Sequence, residues 1–216
     1  MNRFILREAR RLSHVSAKST LVALRCFLRY TLQRGWIKTD LAISLPKVPC
    51  WRYSHVPRSL TPDQVERLLA SCDHGTPDGR RNHAILLLLA RLGLRSKEVS
   101  TLRLEDLDWG HGEIMVRTKM SRIHHLPLTK EIGSALARYL RHTRPHCSLR
   151  TVFIPQRPPW SGLCPSAVGQ IVRRALRRAG LKPDRTGAHL PRHSLATNML
   201  RKGASPPRAR PKLHQG

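Results

Sequence analysis

The sequence has few acidic residues and no long apolar run. Thirteen Asp and Glu residues stand against 40 Lys and Arg residues, which gives a formal net charge of +27 at pH 7. An excess of this size and sign is typical of proteins that bind a polyanion, so nucleic acid is the first partner to consider. A ribosome-like basic protein and a cationic protein of the membrane surface are the alternatives. No uninterrupted apolar stretch reaches the roughly 18 residues that a membrane span needs, so we expect no membrane partner.

Closely spaced cysteines and histidines are also lacking. The five cysteines are scattered, and no two have the close spacing of a zinc knuckle or a redox motif. No predicted helix carries two histidines at ligand spacing with a third candidate ligand nearby. We therefore expect reduced thiols in the cytoplasm, no metal site and no cofactor.

The apolar residues that are present predict a folded core around one helix. Hydrophobic residues make up 40% of the 216 residues, which is enough to form a core. Residues 84–90 are apolar on every side, as in a helix at the centre of a domain, and Gly93 follows as the expected left-handed end. Ser96 and Glu98 predict the cap and a favourable charge for the next helix. Arg95 then lies in a tight joint between two helices, where a solvated joint residue is the simpler interpretation.

A separate amphipathic helix is predicted nearer the start of the chain. Apolar residues recur at helical spacing over residues 19–35, and Phe27 widens the apolar stripe. The opposite face carries three basic residues: Lys18, Arg25 and Arg29. This face suits contacts with a nucleic-acid backbone and equally suits an ordinary solvated surface. Prolines and weak periodicity over residues 40–58 predict a linker, and a capping box at Thr61 begins the main domain.

A hairpin and another helix follow. Residues 112–117 and 123–128 partly alternate between apolar and polar, which predicts two antiparallel strands with Lys119 at or near the tip. Arg122 on this hairpin is a candidate nucleic-acid contact. Residues 152–154 predict a short extra strand. A strongly periodic helix is expected from its cap at Ser166, with four arginines on its outer face: Arg173, Arg174, Arg177 and Arg178.

The last patterned segment predicts a helix with a proline in its first turn. Proline is tolerated there because the first turn does not need its N–H, so Pro191 places His189 just before the helix and Arg192 within it. At three residues apart, these two side chains can address one point. An anion at that point would also meet free backbone N–H groups.

Three motifs in this order resemble those of the tyrosine recombinases, the phage-integrase family of site-specific DNA recombinases. The residues that carry the resemblance are 93–98 with 104–109, then 118–119, then 189–193 with 196–197 and Gly203. The resemblance implies an α+β, mainly helical fold, in which an integrase-type catalytic domain with a small antiparallel sheet follows a fragment of a helical core-binding domain. It implies four segments: a partial core-binding, SAM-like domain (1–45), a linker (46–59), an incomplete catalytic domain (60–205) and a disordered Pro/Arg-rich tail (206–216).

The resemblance also implies a chemistry. In this family a tyrosine hydroxyl attacks a DNA phosphate, which leaves a 3′-phosphotyrosyl link and a free 5′-hydroxyl without metal or nucleotide. Arg95 and Arg192 would stabilise the charge on the non-bridging oxygens. Lys119 would protonate the leaving 5′-oxygen, and His189 would assist proton transfer or brace the phosphate. Glu98 is a plausible partner of Arg95, although helix capping alone explains it.

The family's nucleophile is not found where the resemblance would put it. The tyrosines of this sequence are Tyr30, Tyr53 and Tyr139, all before residue 189, and Tyr139 lies on the apolar face of a predicted helix. Residues 206–216 are rich in proline and arginine instead of being patterned. We expect an out-of-frame or prematurely ended reading of an integrase gene, and a chain that does not cleave DNA alone.

The expected function is therefore that of a DNA-binding integrase that breaks and rejoins strands only with outside help. We expect double-stranded DNA as the partner, self-association on DNA and a place at the nucleoid of the cytoplasm. A partner protomer that supplies the tyrosine would make the chain an enzyme. The alternatives are a non-catalytic DNA-binding integrase remnant and a basic RNA-associated protein.

Overall fold

The computed structural model describes residues 14–46, 59–118, 122–183 and 186–204. The chain divides into two compact units, Met1–His55 and Val56–Gly216. The boundary falls within residues 46–59, where a linker was expected, and residues 47–58 lie outside the described part.

The first unit consists of one long helix and the turns after it. Helix α1 (His14–Gln33) buries Leu21 and Leu28 against Ala42 and Leu45. The predicted place of Phe27 in this stripe is wrong, because its side chain is 57% exposed. The small cluster is covered by residues that follow α1, and Phe27 lies beyond their reach.

The second unit is mainly helical and has one small sheet, which confirms the predicted fold class. Its helices are α2 (Pro62–Ala70), α3 (Pro77–Arg91), α4 (Ser96–Thr101), α5 (Lys130–His142), α6 (Pro165–Arg178) and α7 (His189–Arg201), with a 3₁₀ turn at Leu104–Asp106. The strands are β1 (Leu107–Asp108), β2 (Glu113–Arg117) and β3 (Ile123–Pro127), and they form an antiparallel sheet in the order β1-β2-β3. The predicted hairpin is β2-β3, whose register pairs Glu113 with Pro127 and Arg117 with Ile123.

The apolar run in α3 forms the centre of the core. Residues 85–89 are 0% exposed, and α3 packs against α5 and α7. Arg81 enters this core on the same helix, where its Nη1 donates to the Ile154 carbonyl at 3.2 Å and its Nη2 lies 2.6 Å from Asp78. These partners offset the cost of burying the guanidinium group.

Helix ends follow the local sequence with small departures. The capping box of α2 is confirmed, because Thr61 Oγ1 accepts from the Gln64 N–H and the Gln64 side chain accepts from the Thr61 N–H. Helix α6 begins two residues earlier than predicted, with Cys164 instead of Ser166 as its N-cap. Its apolar face is buried and its four arginines are exposed, as the periodicity predicts.

The extra strand predicted at residues 152–154 is wrong. Thr151 forms only an isolated bridge with Arg103, and the three residues after it are buried without strand geometry. The Val152 N–H donates to the Leu102 carbonyl, whereas the Phe153 carbonyl accepts from the Leu163 N–H. Because their bonds go to two different segments, no continuous ladder forms. Among the described helices, none is long and apolar enough to cross a membrane.

Candidate active site

Arg95 lies at the N-terminus of α4 and is held by one buried carboxylate. Its backbone N–H donates to Glu98 Oε2 at 2.7 Å, and its Nη1 donates to Glu98 Oε1 at 2.9 Å. The Glu98 side chain is 8% exposed, whereas that of Arg95 is 55% exposed. The N-cap of α4 is therefore Arg95, so the prediction of Ser96 as the cap is wrong. The buried carboxylate fixes the direction of a guanidinium group on a side chain that is itself more than half exposed.

Arg192 reaches the same joint from the far end of the chain. Its Nη1 donates to the carbonyl oxygen of Gly93, two residues before Arg95. Gly93 has φ +63°, the left-handed value that its place after α3 predicts. Arg192 is half-buried, and its Cγ lies 3.7 Å from the point where a Gly93 Cβ would be. The structure thus brings the segments that carry the two predicted arginines together at one turn.

His189 opens α7 and lies one turn before Arg192. It is the first residue of the helix, which therefore begins one residue earlier than predicted, and it is exposed. The expectation of several free N–H groups at this end is wrong in part. Pro191 has no N–H, and the Leu190 N–H donates to the Gly187 carbonyl at 3.1 Å. An anion here would therefore be bound mainly by side chains.

Lys119 lies outside the described residues, but the hairpin that carries it is closed and anchored. The Thr118 N–H donates to the Arg122 carbonyl at 2.9 Å, just before the hairpin tip. At the end of β2, Arg117 Nη1 lies 2.6 Å from Asp106 Oδ1. The Asp106 side chain is 2% exposed, and its other oxygen accepts from the Arg103 N–H at 2.9 Å. The hairpin is thereby fixed to the turn that follows α4.

The comparison with known proteins assigns this arrangement to a family. Residues 58–210 match the sequence profile of the phage integrase family. The chain belongs to the phage integrase family. An alignment of 203 residues with a protein of Sinorhizobium fredii (strain NBRC 101917 / NGR234), named as an integrase/recombinase, shows 47% identity and covers 94% of this chain and 49% of that protein. Tyrosine recombinase XerD of Listeria monocytogenes is 31% identical over 85% of this chain and 62% of XerD.

A solved structure has the same fold as this phage-integrase chain. The XerH site-specific recombinase, bound to a palindromic difH substrate in a post-cleavage complex, superposes with a TM-score of 0.76 and 23% identity. The similarity covers 93% of this chain and 60% of that chain. The chain thus spans about half of the first relative's length, and less than two thirds of XerD or XerH. The resemblance inferred from the three motifs is confirmed at the level of family and fold.

The residues predicted to contact nucleic acid are distributed over both units of the integrase chain. In the first unit, Arg29 is exposed, and Arg25 is half-buried with its Nη2 3.3 Å from the Leu45 carbonyl oxygen. Lys18 belongs to α1, but its side chain lies outside the described part. In the second unit, Arg122 is exposed directly before β3, beside the hairpin tip.

Two further groups of cations were not predicted as part of the site. A cleft of about 630 Å³ opens beside α4, and Lys97, Arg103 and Arg117 are among its lining residues. The outer face of α6 presents Arg173, Arg174 and Arg177 to solvent. Charge periodicity marked the α6 face as exposed, but no local signal indicated that residues 97, 103 and 117 share one cleft.

The hydroxyls of the two described tyrosines, Tyr139 and Tyr30, each have a hydrogen-bond partner. Tyr139 is 0% exposed and stacks on Phe153 with ring centroids 5.5 Å apart. Burial raises the pKa of Tyr139, which disfavours its phenolate. Tyr30 belongs to the first unit and accepts a hydrogen bond from Arg34 Nε at 3.0 Å. Tyr53 lies outside the described residues.

Side chains suited to a metal are also dispersed in this integrase. Within the described ranges, no group of three or more His, Cys, Asp or Glu residues could hold an ion. Two histidines each pair with a single carboxylate, His111 with Asp108 and His125 with Glu113.

Proposed function

We propose that this integrase binds double-stranded DNA and holds one backbone phosphate between Arg95 and Arg192, as part of site-specific strand breakage and rejoining. One observation carries the proposal: Arg192 bonds to the carbonyl of Gly93, two residues before the Arg95 that Glu98 orients. Two planar guanidinium forks near one point match the oxygens of a phosphodiester, which accepts paired N–H donors. We assign the catalytic domain to residues 60–205, after a linker at 46–59 and a core-binding part at 1–45.

The proposed chemistry assigns one task to each side chain. Attack on the phosphorus adds negative charge to the two non-bridging oxygens, and Arg95 and Arg192 stabilise that charge. His189 braces the phosphate or moves a proton, since it is exposed one turn from Arg192. Lys119 protonates the 5′-oxygen that leaves. The anchored hairpin supports this role because Arg117, two residues before Lys119, is tied to Asp106.

We propose that these 216 residues alone bind DNA without becoming covalently attached to it. The support is that the Tyr139 side chain is fully buried in the core and that the Tyr30 hydroxyl accepts a hydrogen bond from Arg34 Nε. A tyrosine from elsewhere would complete the site. The difH substrate of XerH is palindromic, and a palindrome offers two equivalent half-sites to a two-fold pair of proteins. We therefore propose self-association on DNA, at the nucleoid.

Duplex binding at several salt concentrations tests the first proposal. We expect affinity to fall steeply with salt, and Arg95→Gln and Arg192→Gln each to weaken binding by about 10- to 100-fold, since a charged hydrogen bond is worth about 1.5–3 kcal/mol. Each should lower the salt slope by about 1, as one lost phosphate contact does. Arg141→Gln, on the exposed end of α5, is the matched control and should change affinity less than twofold. Equal effects of all three variants would contradict the phosphate site.

Covalent capture and competition test the remaining points. A nicked suicide duplex incubated with the pure chain should give no protein–DNA adduct on a denaturing gel. An adduct would show that the chain supplies its own nucleophile. Structured RNA at matched salt should compete more weakly than duplex DNA, and stronger competition would favour an RNA-associated protein.

A further inference from the structure

Helix α7 carries both His189 and Arg192 but is held by few buried side chains. Its buried residues are Leu190, Pro191 and Ser194. Further along, Met199 and Leu200 are 52% and 55% exposed. A helix with so little buried apolar surface depends on individual contacts for its orientation, because apolar burial supplies most of the energy that fixes a helix on a core.

Ser194 makes one of these contacts with a distant part of the chain. Its side chain is 0% exposed, and its hydroxyl accepts a hydrogen bond from the Leu60 N–H at 2.8 Å. The same hydroxyl donates to the Leu190 carbonyl at 2.9 Å, one turn back in α7. Leu60, which is 3% exposed, directly precedes Thr61, the N-cap of α2. The hydroxyl therefore satisfies a buried N–H that the α2 capping box leaves unpaired.

The position of Ser194 on α7 makes this bond a determinant of the helix orientation. At 3.6 residues per turn, Ser194 lies roughly 200° around the helix from Arg192, whereas His189 lies roughly 60° from Arg192. The helix is thus held on one side by Arg192 at the Gly93 carbonyl and on the nearly opposite side by Ser194 at the Leu60 N–H. A rotation of α7 about its axis would break both contacts and turn Arg192 away from the joint.

We propose that Ser194 is a positioning residue of the phosphate site. Its hydrogen bond with the Leu60 amide fixes the rotation of α7 and so directs Arg192 toward the DNA phosphate. The inference rests on the proposed function, because it gives Ser194 a role only through Arg192. A merely structural serine would change the stability of the chain and would not interact energetically with Arg192 in DNA binding.

A double-mutant cycle in duplex affinity separates these roles. We expect Ser194→Ala to weaken binding roughly five- to tenfold when Arg192 is present, within the coupling range of residues in one network, and less than twofold in an Arg192→Gln background. Thr197→Ala is the matched control, since Thr197 Oγ1 bonds to the His193 carbonyl at 2.9 Å within the same helix. It should change affinity less than twofold in either background.

Hydrogen exchange of the Leu60 amide tests the bond itself in the 216-residue chain without DNA. Exchange should be slow in the wild type, faster in Ser194→Ala and intermediate in Ser194→Cys, whose thiol is a weaker acceptor. The thiol variant keeps the test available if the alanine variant does not fold. Unchanged exchange in a folded variant overturns the inference.

The outcomes distinguish the inference from the function on which it rests. If Arg192→Gln leaves duplex affinity at the wild-type value, the phosphate site is wrong and the role of Ser194 falls with it. If Arg192→Gln weakens binding but the effect of Ser194→Ala is the same in both backgrounds, the positioning role alone is wrong.

Discussion

Replacing Gly93 by alanine should disturb the site, whereas the same replacement at Gly112 should not. Both glycines are left-handed, with φ +63° and +66°, so an alanine costs about 1–2 kcal/mol of conformational strain at either place. A Cβ at Gly93 would lie 3.1 Å from Leu195 Cδ2 and 3.7 Å from Arg192 Cγ, whereas a Cβ at Gly112 meets nothing within 4 Å. Only the Gly93 variant therefore pushes on α7.

The differences in unfolding free energy and in DNA affinity between the two variants measure the effect of displacing α7. A contact of 3.1 Å requires Leu195 or the helix to move by a few tenths of an ångström. We expect Gly112→Ala to lower the free energy of unfolding by about 1 kcal/mol, since alanine also stiffens the unfolded chain, and to leave DNA affinity unchanged. Gly93→Ala should lower it by about 1–3 kcal/mol, because overpacking adds to the strain. It should also weaken duplex binding several-fold.

Urea unfolding and fluorescence anisotropy with a labelled duplex at one salt concentration provide the two measurements. Equal DNA affinities for Gly93→Ala and Gly112→Ala, in chains that both fold, would refute the reasoning that the Gly93 joint positions Arg192.

Three further predictions concern single side chains. Glu98→Gln leaves one of the two Arg95 donors without an acceptor. Duplex affinity should therefore drop about tenfold in anisotropy titrations, as loss of a charged hydrogen bond implies. An unchanged affinity would show that DNA binding does not depend on the orientation of Arg95 by Glu98. Burial, and to a smaller extent the charge of His74, lowers the pKa of His83 from 6.5 to about 4. As the pH falls, His83 is therefore protonated in the unfolded chain before it is protonated in the folded chain. The contribution of neutral His83 to the free energy of unfolding is complete above pH 6.5. It declines between about pH 6.5 and 4 by up to about 1.4 kcal/mol per pH unit. Urea unfolding of His83→Asn should show a smaller decline over this pH range. Tyr139→Phe should lower the free energy of unfolding by about 1 kcal/mol, because the buried Ile154 N–H loses the Tyr139 hydroxyl as its acceptor. A large loss of DNA affinity in that variant would contradict the place of Tyr139 in the core.

Local patterns predicted the elements because each depends on neighbouring residues. The apolar run of α3, the left-handed Gly93 and the capping box at Thr61 each involve residues within a few positions of one another. The hairpin could be predicted for the same reason, since two alternating strands lie on either side of a short turn. The short strand β1 has only two residues, which is too few for any alternation to be visible.

The contacts that assemble the site have no local pattern. Arg192 and Gly93 are 99 residues apart, and Ser194 and Leu60 are 134 residues apart. Nothing near Ser194 distinguishes it from a solvent-exposed serine of a helix. Its importance follows from burial and from the Leu60 amide, and both appear only once the chain has folded.

The carboxylate of Glu98 has a consequence for the energetics of DNA recognition. A long arginine side chain loses rotamer entropy when it is immobilised, and that loss normally subtracts from affinity. Because Glu98 already restrains the Arg95 guanidinium, much of this loss is incurred when the protein folds. Because of this preorganisation, the Arg95 donors need little rearrangement when a DNA phosphodiester binds.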